Sequence, residues 1–257
     1  MILTAKVNCK INLGLYVVRK RPDGYHDLET VFYPTDFYTD ELALAPSDCE
    51  LDFVCTDTQA GPPADNLCVR AFHLLRRDFD IGGVQIALRK HIPTGAGLGG
   101  GSADAAFTLK LLAQWFHLPL AAADLKAYAA NLGSDVPFFI DNTPVFATGR
   151  GEIMTPVDLD LSNYIIKIVK PDFSVSTREA YAHITPKKAN VDLKLLVNQP
   201  VEYWKELMHN DFEDSVFARH PELAALKRKM YAEGALYASM SGSGTAIYGI
   251  FTKRFGT

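Results

Sequence analysis

The segment Pro93–Ala106 reads P-T-G-A-G-L-G-G-G-S-A-D-A-A, and five of the seven residues from Gly95 to Gly101 are glycine. Glycine permits positive φ and lets backbone N–H groups approach a ligand with no Cβ in the way. Between a predicted strand and a predicted helix, the run gains the unpaired N–H donors and partial positive charge of a helix N-terminus. That is anion chemistry, sized for a di- or triphosphate. The bland alternative is a flexible linker, but so much glycine at one strand–helix junction carries an entropy cost that a connector does not require. A Walker loop is excluded, since no Gly-Lys-Ser/Thr occurs. Gly95, Gly97 and Gly100 formally match the dinucleotide pattern G-x-G-x-x-G. The acidic residue at the expected distance, Asp124, falls in an Ala-rich helix instead of at the end of a second strand, so a nicotinamide or flavin enzyme stays only an alternative.

Other residues are ambiguous by type and spacing. Lys10 interrupts an otherwise apolar strand start and shares a strand face with Asn12, but solvent-facing lysines also look like this. Gly133-Ser134-Asp135 before Pro137 fits a helix N-terminus with Asp135 as its cap. Tyr25 and His26 follow the turn signal Pro22-Asp23-Gly24 and read as turn-flanking packing residues. Asn66 reads as a helix N-cap. The remaining histidines (73, 91, 117, 183, 209, 220) show no metal-ligand spacing and read as surface or packing groups. Met230, Tyr231 and Tyr237 read as core.

The elements that would position these residues are mixed. Ile11, Leu13, Leu15 and Val17 alternate with Asn12, Gly14 and Tyr16, predicting a strand over 10–19 with one face buried. Leu28–Tyr38, Glu41–Leu44 and Leu51–Cys55 are separated by Pro, Ser and Asp and predict a meander of short strands. Leu67, Ala71, Leu74, Leu75 and Phe79 predict a helix starting at Asp65–Asn66, and Val84, Ile86 and Leu88 a strand before the glycines. Helices are expected over 102–116 and 121–132. A strand over 164–169 and helices over 178–183, 201–208 and 221–233 follow, with Gly234 at a C′ position. Strands over 235–240 and 245–251 flank Ser241-Gly242-Ser243-Gly244. Strands and helices without regular βαβ alternation predict an α+β fold in two lobes, divided somewhere within 150–163.

Composition narrows the function classes. The 257 residues carry 26 Lys plus Arg against 30 Asp plus Glu, a net charge of −4, and no long basic run, which argues against sequence-independent nucleic-acid binding. No apolar run approaches the roughly 20 residues needed to cross a bilayer, so no membrane partner is expected. Lys6 and Lys10 inside the apolar N-terminal stretch argue against a secretory signal. Cys9, Cys49, Cys55 and Cys68 lack paired C-x-x-C spacing and read as reduced thiols in a cytoplasmic protein.

P-x-x-x-G-L-G-G-G-S-A-D-A-A resembles the central ATP-binding motif of the small-molecule kinase superfamily that includes galactokinase, homoserine kinase and mevalonate kinase. Ala5–Leu13 resembles its first motif, and Ser241-Gly-Ser-Gly-Thr245 its C-terminal glycine loop. Lys10-Ile-Asn-Leu, Arg21-Pro-Asp-Gly-Tyr-His26 and Leu132-Gly-Ser-Asp-Val-Pro137 resemble the branch acting on a cytidine diphosphate-linked methylerythritol in non-mevalonate isoprenoid biosynthesis. The resemblance spans the whole chain in order.

It implies an N-terminal lobe like ribosomal protein S5 domain 2 over 1–155, binding ATP and carrying the catalytic groups. A ferredoxin-like α+β sandwich over 156–257 would complete the substrate cleft. The implied reaction moves the γ-phosphoryl group of ATP to the 2-hydroxyl of the methylerythritol portion. Such chemistry needs positioning, charge neutralisation and a proton acceptor. The resemblance makes Asp135 the general base and Lys10 its electrostatic partner. ATP would contact Asn66, Pro93, Thr94, Gly95, Ala96, Gly97, Leu98, Gly99, Gly100, Gly101, Ser102 and Ala103. Asn12, Tyr25, His26 and Tyr181 would bind the substrate, with Tyr25 and Tyr181 on the two faces of cytosine and His26 hydrogen-bonding the base. Mg²⁺ would enter with the nucleotide.

Two departures from the superfamily are visible. Gly100-Gly101 stand where relatives often carry hydroxyl residues, which leaves the metal ligands unassigned. The chain ends at Thr257, where relatives usually add another helix; a partner subunit could cover that region, so a monomer or a weak homodimer is expected. Two other functions compete. A kinase or decarboxylase acting on mevalonate-type substrates should lack Gly24-Tyr25-His26, and a catalytically dead nucleotide-binding regulator should lack Lys10 or Asp135. This chain has all of these residues.

Overall fold

The computed structural model describes residues 1–56 and 62–253. The architecture is α+β, and the chain forms two compact units. One comprises Met1–Cys9, Tyr38–Thr94 and Gly99–Thr143; the other comprises Lys10–Phe37, Gly95–Leu98 and Pro144–Thr257. Strand β1 (Leu3–Lys20) and strand β2 (His26–Pro46) supply residues to both.

Both strands differ from expectation. Every residue of β1 from Val7 to Val17 is buried, so the strand is covered on both faces and has no wet side. Lys10 and Asn12 are consequently buried, at 4% and 3% exposure. β2 is one strand of 21 residues, not a meander of pieces. Pro34 lies between Leu28–Phe32 and Glu41–Pro46, the stretches that pair with two other strands, so neither of those two ladders needs its missing N–H.

In the first unit, β4 (Val84–Arg89) lies between β2 and β3 (Leu51–Cys55), antiparallel to the former and parallel to the latter. Val84, Ile86 and Leu88 are buried and their neighbours less so, the alternation predicted for a strand with one covered face. Helices α1 (Leu67–Arg76), α2 (Gly100–Trp115), α3 (Ala122–Ala130) and α4 (Phe138–Asp141) complete the unit, with α1 packed on α2. Asn66 caps α1, its Oδ1 accepting the Cys68 N–H at 2.9 Å.

A buried ion cluster in this unit has no sequence signature. Lys90 Nζ donates to Asp104 Oδ2 at 2.6 Å and to Asp40 Oδ2, while Asp40 Oδ1 accepts the His91 and Ile92 N–H groups at 2.5 and 2.8 Å. Burial pushes the Asp104 carboxyl up to about 7, against the opposing pull of Lys90. Lys90→Met leaves two buried carboxyl groups without their cation. It is expected to destabilise the protein by about 3–5 kcal/mol in urea unfolding, and a loss below about 1 kcal/mol would contradict the cluster's role.

In the second unit, β5 (Val145–Gly149) pairs antiparallel with β2 and with β6 (Ile153–Pro156). These strands, five and four residues long, are too short to show alternation in the sequence. A separate antiparallel sheet has the order β7 (Tyr164–Val169), β9 (Ile247–Thr252), β8 (Tyr237–Met240). Helices α5 (Thr177–Tyr181), α6 (Leu193–Leu196), α7 (Trp204–Leu207), α8 (Phe212–Arg219) and α9 (Pro221–Ala232) accompany it, of which α6 and α8 were not anticipated. Gly234 ends α9 as expected, at φ +95°, with its N–H bonded to Tyr231 O and the Ala235 N–H to Met230 O. Met230 and Tyr237 are buried, and Tyr231 packs against the core of Leu15, Val17, Phe212, Val216 and Ile247. Among the described residues no helix is long and apolar enough to cross a membrane.

Candidate active site

Three segments distant in sequence meet within the second unit: the middle of β1, the central glycine loop and the loop between β8 and β9. The Lys10 N–H donates to Leu98 O at 3.0 Å, which fixes the glycine loop against β1. Lys10 Nζ donates to Asn12 Oδ1 at 2.5 Å and to Gly97 O at 3.2 Å, and it sits 4.8 Å from the centre of the Phe32 ring. The amide of Asn12 donates in turn to Thr30 Oγ1 at 3.0 Å. A buried lysine needs such acceptors, because an isolated charge taken from water is costly. Lys10 is therefore not the solvent-facing residue its spacing also allowed.

The third segment closes on the same carbonyl. Ser241 Oγ donates to Gly97 O at 2.8 Å and accepts the Asn12 N–H at 3.3 Å. The Ala246 N–H bonds Ala96 O at 3.1 Å, and the Tyr248 hydroxyl donates to Asn12 O at 2.7 Å. Gly97 has φ +77°, and a Cβ there would lie 2.0 Å from Ser241 O. Glycine is required at this position both by conformation and by close approach.

The remaining glycine-loop residues belong to the first unit. Gly99, at φ +72°, is the N-cap of α2, and its carbonyl accepts the Ala103 N–H at 2.9 Å. Helix α2 therefore starts at Gly100, two residues earlier than expected. The first-turn N–H groups and dipole of a helix N-terminus favour an anion. Gly100 has no room for a side chain: a Cβ would meet Ile92 Cγ2 at 2.7 Å and Lys90 Nζ at 3.3 Å. A hydroxyl residue at this departure from the superfamily would collide with that packing. Pro93, Ser102 and Asn66 are half-buried, Thr94 and Gly101 are exposed, and Ala103 is buried. Asp135 is half-buried in the turn before α4. The N-cap of α4 is Pro137, with no side-chain capping bond, so the helix-cap reading of Asp135 is not met by this helix.

The aromatic residues divide into two groups in the second unit. The His26 ring stacks on Tyr181, with centroids 4.8 Å apart and planes at 23°, and Tyr181 meets Phe212 edge-on at 4.8 Å. Burial, assisted by Lys20, holds His26 below its ordinary imidazole value, so the ring is neutral at pH 7. Tyr25 is 57% exposed, and the Arg150 guanidinium lies 5.0 Å from its ring centre. Among the described residues no group of three or more His, Cys, Asp or Glu is arranged to hold a metal ion. Sequence reasoning did not single out Thr30, Asn210 or Tyr248. They carry no motif, and only their burial and hydrogen bonds identify them.

The family described as "GHMP kinases N terminal domain" matches residues 66–149, and that described as "GHMP kinases C terminal" matches 192–254. The chain is 51% identical over 249 residues to the "4-diphosphocytidyl-2-C-methyl-D-erythritol kinase" of Bacteroides thetaiotaomicron, covering 95% of this chain and 90% of the relative. It is 51% identical over 251 residues to the protein of the same name from Parabacteroides distasonis, covering 96% and 90%. The structure matches a crystal structure of "4-(cytidine 5'-diphospho)-2C-methyl-D-erythritol kinase" with a TM-score of 0.84 at 33% identity, covering 96% of this chain and 90% of that one. The chain is thus a small-molecule kinase of the GHMP family and belongs, within it, to the 4-diphosphocytidyl-2-C-methyl-D-erythritol kinases.

Proposed function

We propose that this chain transfers the γ-phosphoryl group of ATP to the 2-hydroxyl of 4-diphosphocytidyl-2-C-methyl-D-erythritol, a step of non-mevalonate isoprenoid biosynthesis. The observation that carries this reading is the buried cluster of Lys10, Asn12, Gly97 and Ser241, in a chain half identical to kinases named for that substrate. ATP binds along Pro93–Ala103, with its phosphates on the glycine loop and the start of α2, and with Asn66 towards the adenine. Mg²⁺ arrives with the nucleotide, held largely by its phosphates and water, and neutralises their charge.

Asp135 accepts the proton of the 2-hydroxyl as that oxygen attacks the γ-phosphorus and the bond to the β-phosphate oxygen breaks, releasing ADP. Lys10 supplies positive charge beside the reacting groups, and its bonds to Asn12 and Gly97 hold that charge in place at no cost during reaction. Asn12 orients the acceptor. Tyr25 and Tyr181 bind the cytosine faces, while His26, neutral at pH 7, both donates and accepts on the base. Residues 1–155 then supply the nucleotide-binding and catalytic groups, and 156–257 add Tyr181 and the Ser241 that braces the glycine loop. The enzyme is cytoplasmic and a monomer or weak homodimer, which light scattering at micromolar concentration checks.

An acceptor panel tests the substrate. With Mg-ATP, the cytidine diphosphate-linked alcohol is expected to exceed mevalonate, homoserine and galactose by at least about 10⁴-fold in kcat/KM, because unpaired base-recognising groups penalise the others. Comparable turnover of mevalonate would favour the mevalonate-type reading instead.

A further inference from the structure

We infer that Asn210 is a positioning residue of this site, acting through Ser241 on the phosphate-binding glycine loop; the inference rests on the functional reading above. The segment 209–213 runs beside β1. The Leu15 N–H donates to His209 O at 3.0 Å, the Asp211 N–H to Leu15 O at 2.8 Å, and the Val17 N–H to Asp211 Oδ2 at 2.8 Å. From this edge the Asn210 side chain, 2% exposed, reaches the β8–β9 loop. Its Nδ2 donates to Met240 O at 2.9 Å and to Gly242 O at 2.8 Å, while its Oδ1 accepts the Phe212 N–H at 2.9 Å. A primary amide supplies two donors and an acceptor together; a carboxylate has no donor and a hydroxyl has one.

The two carbonyls held by Asn210 flank Ser241. Glu213 holds the same strand end, its Oε1 accepting the Met240 N–H at 2.8 Å and the Ser239 hydroxyl at 3.0 Å, so Met240 is fixed through both backbone groups. Ser241 in turn bonds Gly97 O and the Asn12 N–H, and Gly97 O is also the acceptor for Lys10. A Cβ on Gly242 would lie 3.3 Å from Gly97 Cα, so the two loops are packed too closely for one to shift without the other. Asn210 thus sets the position of Gly97 without touching a reactant.

The test is a double-mutant cycle of Asn210→Ser and Ser241→Ala, read as Mg-ATP affinity by calorimetry and as kcat/KM, with urea unfolding run alongside. Each single change is expected to weaken Mg-ATP binding about 10- to 30-fold, the loss that follows from a buried carbonyl left unpaired or a loop bond removed. The double variant should bind within about 2-fold of the weaker single one, because both changes release the same loop. Losses that multiply, or affinity unchanged while stability falls, would overturn the proposal. Should Asn210→Ser fail to fold, the side-chain ¹⁵N amide signal of Asn210 in the wild type decides: it is expected to move on saturation with Mg-ATP, and an unmoved signal overturns the role. A wild type that binds Mg-ATP yet phosphorylates nothing removes the functional reading and leaves Asn210 judged on affinity alone. A wild type that binds no Mg-ATP overturns both.

Discussion

Asp135→Asn is expected to lower kcat by about 10²–10⁴-fold, the range supplied by a positioned general base. The substitution keeps the shape of the side chain and removes its capacity to take a proton. KM for Mg-ATP should change little, because the nucleotide is bound by the glycine loop. Stability should move by less than about 1 kcal/mol, since Asp135 is half-buried in a turn and α4 has Pro137 at its N-cap with no side-chain cap. Steady-state kinetics with urea unfolding separates the two readings of this residue. Turnover equal to wild type would eliminate it as the base, whereas a large loss of stability with intact turnover would return it to a structural role.

Gly97→Ala is expected to disable the site through the backbone. The residue sits at φ +77°, and the added methyl group would lie 2.0 Å from Ser241 O and 2.8 Å from Ser241 C. Neither atom belongs to a flexible side chain, so the two loops must separate. That movement breaks the bonds from Lys10 and Ser241 to Gly97 O. Left-handed strain and overpacking together are expected to cost about 3 kcal/mol in unfolding free energy, with Mg-ATP affinity falling by at least about 100-fold. Gly95→Ala is the control. It has φ +66°, but the nearest atom to its Cβ is Ser174 Oγ at 3.9 Å, so only the backbone strain of about 1 kcal/mol remains. Equal losses of stability in the two variants, by thermal unfolding, would show that close approach to Ser241 is not what Gly97 is for.

These expectations depend on features of unequal visibility in the sequence. The glycine run pointed to a strand–helix junction suited to an anion from residue type alone, and the junction lies between β4 and α2. Period-2 and period-3.6 patterns located β4 and α9 because the buried residues of each fall on one face. Where both faces are buried that signal vanishes, which is why β1 read as half-exposed although Val7–Val17 are all covered. Asp40, between Tyr38 and Glu41, suggested a break in β2, and Pro34 would be costly inside a paired strand. Pro34 falls between two pairing stretches, and Asp40 is a buried acceptor for Lys90, His91 and Ile92. Local composition reports neither circumstance.

The site itself was legible in part. Lys10 was set apart by interrupting an apolar strand start and Asn12 by sharing its strand face, and their burial follows from the coverage of β1. What joins them to Ser241 is a set of contacts across more than 200 residues, and no local pattern encodes contacts of that range. Asn210 was invisible for this reason. Its neighbours in sequence are ordinary, and its partners Met240 and Gly242 are backbone carbonyls that leave no mark on residue type.

The central claim is a phosphoryl transfer, and ³¹P NMR observes it directly. Purified protein would be incubated with Mg-ATP and 4-diphosphocytidyl-2-C-methyl-D-erythritol, and product mass would be followed in parallel. A new phosphomonoester resonance that grows as the γ-phosphate signal of ATP declines, and that is absent with Asp135→Asn, is the predicted result. ATP binding without any new phosphomonoester, or the same product formed at the same rate by Asp135→Asn, would contradict the account.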